Sequence, residues 1–309
     1  MTGIDGKARE SPTRDWGTRV RSYFTLTKPG ITAFILLVAV AGYFVASPYP
    51  PDWARLGELL VAGGLASGGA AALNHWYDRD LDAAMRRTRA RPIPTERIPA
   101  ERVRDFGLGL SAAGWILAAA LLGLGPFLAI ASGTLVYVGI YTMWLKRRTR
   151  WNIVIGGYAG SAPVLAGSLA AVGMITPAAA LLALLIFLWT PPHFWSLALV
   201  LKDDFGQARL PMLPNPQSPQ RSGQTVVLSA ALLLPVTLAF YAFRANYLPF
   251  FVLATALGIA FVGITSFLWV SPERRTALWG FIFSGVYLLG IVGAVLVNWL
   301  WIFTPLVPH

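Results

Sequence analysis

The sequence predicts an all-α polytopic membrane protein, with nine transmembrane helices bundled around a central cavity. Two observations carry this prediction. Of the 309 residues, 56% are hydrophobic and only 13% are charged, whereas a soluble protein carries roughly 25% charged residues. The apolar residues are also gathered into nine long runs, each near the length of about 20 residues that crosses a bilayer.

The chain opens on a polar segment, Met1 to Lys28, that mixes Asp5, Glu10 and Asp15 with basic residues. A secretory signal does not have that composition, and a mitochondrial transit peptide is poor in acids. Residues 1–28 therefore read as a cytoplasmic tail, and residues 29–309 as one nine-helix domain. The expected spans are Ile31–Ala46, Leu56–Tyr77, Phe106–Leu124, Phe127–Leu145, Asn152–Gly173, Pro177–Leu201, Thr225–Phe243, Leu248–Val270 and Ala277–Phe303. Gly125-Pro126 and Met174 to Thr176 leave room only for tight turns between antiparallel helices. The second span carries Gly57, Gly63, Gly64, Gly68 and Gly69, small residues that let membrane helices approach closely. Trp76, Tyr77, Trp144 and Trp151 stand near span ends, where aromatic rings anchor at the interface.

Basic residues orient the bundle. Of the 25 Lys and Arg, 23 fall in the tail or in the loops after the second, fourth, sixth and eighth spans; only Arg55 and Arg244 fall on the other side. Positive charge marks the cytoplasmic face, so the N-terminus is expected inside and the C-terminus outside. The net charge of +11 thus follows topology and does not imply nucleic acid. The absence of Cys excludes disulfides, thiolate catalysis and thiolate metal sites. The His residues are His75, His193 and His309.

The chemistry-bearing stretch runs from Leu73 to Pro94. Asn74, Asp78 and Asp82 are spaced i, i+4, i+8, which stacks them on one helix face, while Asp80 points elsewhere. One amide and two carboxylates are hard oxygen ligands suited to Mg²⁺, which fills its remaining positions with water and substrate phosphate oxygens. Arg86, Arg87, Arg89 and Arg91 follow and could hold phosphates through fork-like hydrogen bonds. On spacing alone the stretch is equally an acidic-basic helix end solvated at a membrane surface. Lys146 to Arg150, after the fourth span, reads by itself as a topogenic charge run, but it lies on the same membrane face as the first cluster.

A second acidic pair, Asp203-Asp204, ends the sixth span. Grouped carboxylates repel unless cations neutralise them, and metal ions bridging a diphosphate would do so. Within the same span Pro191-Pro192 removes backbone donors and is expected to kink the helix. His193 follows, about 15 Å from Asp203 at 1.5 Å per residue. An ionisable residue inside a span is a functional candidate; the alternative is a neutral imidazole bonded to a carbonyl that the prolines free. Intramembrane acids also occur in cation-coupled transporters, but here the acids gather at one face.

These motifs resemble the intramembrane aromatic prenyltransferase superfamily that includes ubiquinone-pathway enzymes, and within it the haem-farnesylating branch. N-x-x-x-D-x-x-x-D stands as Asn74, Asp78 and Asp82, followed by Arg87-Thr88 and Arg91-Pro92. Y-T-x-x-L-K-R-x-T-x-x-N-I-V-I-G-G runs from Tyr141 to Gly157, and T-P-P-H-F-W-x-L-A-L from Thr190 to Leu199. Asp203-Asp204 and the P-M-L-P of Pro211–Pro214 complete the match. The first motif marks the superfamily, and T-P-P-H-F-W points to the haem branch. Arg209 departs from the Gly expected before P-M-L-P. The resemblance implies that Asn74, Asp78, Asp82, Asp203 and Asp204 hold Mg²⁺ against farnesyl diphosphate, with Asp78, Asp82, Asp204 and Lys146 central to catalysis. It also implies that Arg87, Arg91, Arg147 and Tyr141 bind substrate and that His193 contacts haem. Farnesyl would pass to the 2-vinyl group of haem b, and water would be added. Membrane lipid, and a haem A synthase or terminal oxidase as receiver of the product, are the other implied partners, and a bacterial inner membrane is the implied location. A quinone precursor or chlorophyll-like ring is the alternative acceptor.

Overall fold

The computed structural model describes residues 16–211 and 218–303, and is helical apart from its turns and loops. Most of the polar tail, part of the P-M-L-P stretch and His309 lie outside the described residues. Among those residues, nine helices are long and apolar enough to cross a membrane. Spans one to five are Pro29–Ala46, Trp53–Tyr77, Ala100–Leu122, Leu124–Leu145 and Asn152–Val172. Spans six to nine are Pro177–Val200, Pro219–Ala242, Tyr247–Val270 and Arg274–Ile302. The nine expected runs thus each became a helix. The largest differences in boundary are at the starts of the third and seventh spans, which begin six residues earlier than expected because polar first turns continue each helix. A short helix, Trp16–Leu26, precedes the first span.

Helix contacts are made where side chains are small. A Cβ placed on Gly42 of the first span would lie 2.3 Å from the Val164 carbonyl of the fifth. One placed on Gly69 of the second span would lie 2.4 Å from Ser111 Oγ of the third. At both crossings only hydrogen fits, so backbone meets backbone. The large buried side chains Tyr43, Phe240, Phe250, Phe261 and Tyr287 fill the space between the remaining helices. Ile116, Leu124 and Val270 face outward, as expected where the surroundings are lipid.

Arg55, one of the two basic residues set apart by sequence, has a structural role. Its guanidinium donates to the carbonyls of Ala170 (2.9 Å) and Leu122 (3.2 Å). Those carbonyls belong to the last turns of the fifth and third spans, where helix oxygens lack internal partners. Two stretches are wound as π-helix, Ala118–Leu122 and Val136–Leu145. The second ends with the Lys146 N–H donating to the Tyr141 carbonyl five residues back (2.9 Å). The sixth span runs as one helix through Pro191 and Pro192.

Candidate active site

The second span ends at Tyr77, and a short helix, Arg79–Ala84, continues beyond Asp78. Asp78 itself is bent (φ −87°, ψ 11°), yet the i→i+4 ladder survives. The Asp78 N–H donates to the Asn74 carbonyl (2.9 Å), and the Asp82 N–H to that of Asp78 (2.8 Å). The one-face stacking expected from the spacing is therefore kept through the bend. Asn74, Asp78 and Asp82 are 4%, 1% and 2% exposed, while Asp80 is exposed.

Burying carboxylates is costly unless they are paired, and here each is paired. Lys146 donates to Asp78 Oδ2. Arg91 Nη1 donates to both oxygens of Asp82, at 2.7 and 2.8 Å. Lys28 Nζ donates to Asn74 Oδ1 (2.5 Å) and lies 3.4 Å from the Tyr137 hydroxyl. The Asn74 amide spans the group, donating to Asp78 Oδ2 (2.8 Å) and to Thr142 Oγ1 (3.1 Å). Lys28 sits just before the first span in the left-handed region (φ 47°). Burial, reinforced by Arg91 and Lys146, lowers its pKa to about 7.

Arg147 behaves differently. It forms a fork on exposed Asp80, with both bonds 2.6 Å, and its guanidinium lies over the Tyr77 ring at 5.1 Å. The guanidinium holds the Asp80 carboxyl below its usual range. Asp204 is half-buried, and one oxygen accepts the Arg87 backbone N–H (3.4 Å); Asp203 is exposed.

A cavity of about 740 Å³ joins these groups to the interior of the bundle. Its polar end is lined by Lys28, Asn74, Asp82, Arg87, Arg91 and Lys146, its wall includes Tyr137 and Tyr141, and its far part includes Trp189, His193 and Phe281. Of the sequence-predicted residues, seven line the cavity: Asn74, Asp82, Arg87, Arg91, Tyr141, Lys146 and His193. Asp78 is in direct contact with two of them. Arg147, Asp203 and Asp204 do not line it, although Phe205 beside the acidic pair does. His193 Nδ1 lies 2.6 Å from Ser284 Oγ of the ninth span, so its partner is a hydroxyl and not a proline-freed carbonyl. Trp189 stacks on the imidazole, with ring centroids 4.3 Å apart and planes 19° apart.

Sequence reasoning assigns no role in the site to Lys28, Tyr137, Thr142, His75 or Ser284. Lys28 was read only as one of the topogenic charges. His75 is 2% exposed, its Nδ1 is 3.9 Å from Asp82 Oδ2, and neither ring nitrogen has a hydrogen-bond partner among the described residues.

The donor chemistry suits a hard divalent cation. Asn74, Asp78 and Asp82 offer oxygen only, and Asp78 Oδ1 is buried without a hydrogen-bond partner among the described residues. No three acidic or His side chains converge into a cage among the described residues. Mg²⁺ does not need one, because it binds through one or two carboxylates plus substrate phosphates.

A model of the UbiA prenyltransferase family matches residues 35–286. The chain belongs to this family. It is 44% identical over 243 residues to a protein from Cenarchaeum symbiosum named protoheme IX farnesyltransferase 1, covering 77% of this chain and 82% of that one. It is 40% identical over 283 residues to the protoheme IX farnesyltransferase of Alkalilimnicola ehrlichii, covering 90% and 92%. Among solved structures, a digeranylgeranylglyceryl phosphate synthase superposes with a TM-score of 0.76 at 16% identity, covering 92% of this chain and 99% of that one. A UbiA homologue from Archaeoglobus fulgidus bound to DMAPP and Mg²⁺ superposes with a TM-score of 0.71 at 16% identity, covering 89% and 99%. Family membership makes this a multi-pass membrane enzyme that transfers prenyl groups.

Proposed function

We propose that the protein transfers the farnesyl group of farnesyl diphosphate to the 2-vinyl group of haem b, with addition of water, giving haem O. The observation that carries this reading is the shape of the cavity: a cationic and carboxylate end joined to an interior wall of Trp189, His193 and Phe281. Relatives that are 40–44% identical over most of their length carry the name of this activity.

Lys28, Lys146, Arg87 and Arg91 receive the diphosphate. Charge-assisted bonds to phosphate oxygens replace bonds to the buried carboxylates, which frees Asn74, Asp78 and Asp82 as ligands. Asp203 and Asp204 approach the same end from the sixth span. Asn74, Asp78, Asp82, Asp203 and Asp204 would hold Mg²⁺, which when bound would supply Lewis-acid stabilisation of the departing diphosphate charge. The C1–O bond of farnesyl diphosphate breaks, and both electrons leave with diphosphate. The vinyl π-electrons of haem form the new bond to C1, water captures the resulting cation, and a proton is released. The apolar wall excludes water from the first cation, while the four cationic side chains keep the leaving group in place. Tyr141 packs beside Tyr137 on this wall (5.8 Å, 17°), and Arg147 steadies the Asp80 turn from outside. His193 meets the macrocycle, since neutral imidazole is a ligand suited to iron.

The site faces the cytoplasm of a bacterial cell, at the inner membrane, with the N-terminus inside. The product passes to a haem A synthase or terminal oxidase. The test is to incubate purified protein in lipid with haem b, farnesyl diphosphate and Mg²⁺, then weigh the extracted haems by mass spectrometry. A haem heavier by one farnesyl group plus one hydroxyl group is expected. An unmodified haem alongside a prenylated hydroxybenzoate, offered in parallel, would replace haem as the acceptor.

A further inference from the structure

Ser284 makes two hydrogen-bond contacts through one hydroxyl. Its Oγ donates to the Phe281 carbonyl one turn earlier, and the same Oγ lies 2.6 Å from His193 Nδ1. A serine has a single hydrogen to give, and a carbonyl has none. If the hydroxyl donated to His193, two oxygens would face each other at hydrogen-bond distance with no proton between them. Only one assignment satisfies both contacts: Ser284 donates to Phe281, and His193 Nδ1–H donates to Ser284.

We infer that Ser284 locks His193 in the Nδ1–H tautomer and leaves Nε2 with a free lone pair for the acceptor substrate, which makes Ser284 a positioning residue of the site. The two ring nitrogens diverge, so Nε2 is directed away from the ninth span, on a side chain that lines the cavity. Ser284 also acts through its backbone. Its carbonyl accepts the Trp189 indole N–H (2.9 Å), and Trp189 is the ring stacked on His193 at 4.3 Å. Phe281, the other end of the serine's hydroxyl bond, lies on His193 with centroids 5.0 Å apart. One turn of the ninth span thus sets the tautomer, the plane and the stacking partners of an imidazole on the sixth. A ring nitrogen that donates to a fixed acceptor is the usual way proteins orient an imidazole and raise the basicity of its other nitrogen. The serine is fully buried.

The tautomer is independent of the proposed acceptor, whereas the role of Nε2 rests on the haem reading. Two measurements separate them. The first is nitrogen NMR of ¹⁵N-histidine-labelled wild-type protein in detergent, with the His193 signals identified by their loss in His193→Gln. A protonated Nδ1 and an unprotonated Nε2 are expected, and an Nε2–H tautomer would overturn the inference whatever the substrate is. The second is titration of wild type, Ser284→Ala and Ser284→Thr with ferric haem b, following the Soret band and spin state. Each variant is first shown to bind farnesyl diphosphate as wild type does. Ser284→Ala should bind haem roughly 10–100-fold more weakly and lose the axial-histidine spectrum, and Ser284→Thr, which keeps the hydroxyl, should regain it. An unchanged spectrum and affinity in Ser284→Ala would sink the positioning role. Failure of the wild type itself to bind haem would instead count against the acceptor assigned under the proposed function.

Discussion

Arg91 Nη1 lies 2.7 and 2.8 Å from the two oxygens of Asp82, so the most buried carboxylate on the cavity wall is held by a residue nine positions further on. Removing one partner from a buried pair costs about 3–5 kcal/mol, because the other charge is stranded. Arg91→Met should therefore lower thermal stability in detergent and weaken farnesyl diphosphate binding. The double variant Arg91→Met/Asp82→Asn should regain much of the stability, because neither charge remains, yet have no turnover. A single variant melting with wild type would mean that solvent already carries the charge of Asp82.

The three acids of the first cluster should respond unequally. Asp78→Ala and Asp82→Ala remove buried oxygens beside the Lys28, Arg91 and Lys146 end of the cavity and should lower turnover by on the order of 10²–10³-fold. Asp80 is exposed and its side-chain partner is Arg147, in a pair worth at most about 1 kcal/mol. Asp80→Ala should retain most of the activity. Asp204→Ala, which loses the contact to the Arg87 backbone, should be more severe than Asp203→Ala. Chelation of Mg²⁺ should stop turnover, with the product measured by chromatography of extracted haems. Equal losses in Asp80→Ala and Asp78→Ala would refute the division of the cluster by exposure.

Much of this arrangement was legible in the sequence, for identifiable reasons. Hydrophobic length alone located nine spans, because a bilayer demands internally bonded helices. The i, i+4, i+8 spacing placed Asn74, Asp78 and Asp82 together and set Asp80 apart, since the helical hydrogen bonds persist through the bend at Asp78. Arg209, which departs from an expected Gly, adopts a positive φ of 50°, a conformation that glycine adopts readily and that strains other residues. What was hidden depended on contacts between distant segments. Lys28 reaches Asn74 across 46 positions and His193 reaches Ser284 across 91, and neither pairing leaves a periodic trace. The π-helical winding of Val136–Leu145 breaks the 3.6-residue repeat from which facing residues are read, so neither Tyr137 nor the Thr142 of the Tyr141–Gly157 motif could be placed beside Asn74.

Close helix crossings should tolerate no added carbon. Gly69 lies one turn before Asn74 and faces Ser111 Oγ and the Gly107 carbonyl. Gly69→Ala should destabilise by roughly 1–3 kcal/mol, as overpacking does, and should reduce activity by displacing the helix that carries the site. Gly57→Ala meets nothing within 4 Å and should be neutral. Thermal melts in detergent compare them directly; equal melting points would show that the second and third spans can separate without cost.

The positive-inside distribution makes a prediction about faces. Reporter fusions near Arg91, Arg148 and Arg209 should be cytoplasmic, and a fusion after His309 should be external. A shared site requires the ends of the second and sixth spans on one side. Arg91 and Arg209 on opposite faces would dismantle it.

His193 offers the sharpest division between the two substrates. It stands on the sixth span, under Trp189 and against Phe281, in a part of the cavity different from the Lys28, Arg91 and Lys146 end. A macrocycle has the area to fill such an aromatic wall and an iron to meet an imidazole, while a diphosphate uses neither. His193→Ala should therefore weaken haem binding and haem farnesylation by at least roughly 10-fold, and leave Mg²⁺-dependent binding of farnesyl diphosphate within about 2-fold of wild type. Absorbance titration with haem b and binding of labelled farnesyl diphosphate, measured on the same preparation, separate the two effects. Parallel loss of both would mean that the imidazole supports the bundle as a whole. Retention of haem affinity and turnover would reduce it to a satisfied core residue, its hydrogen bond to Ser284 serving packing alone.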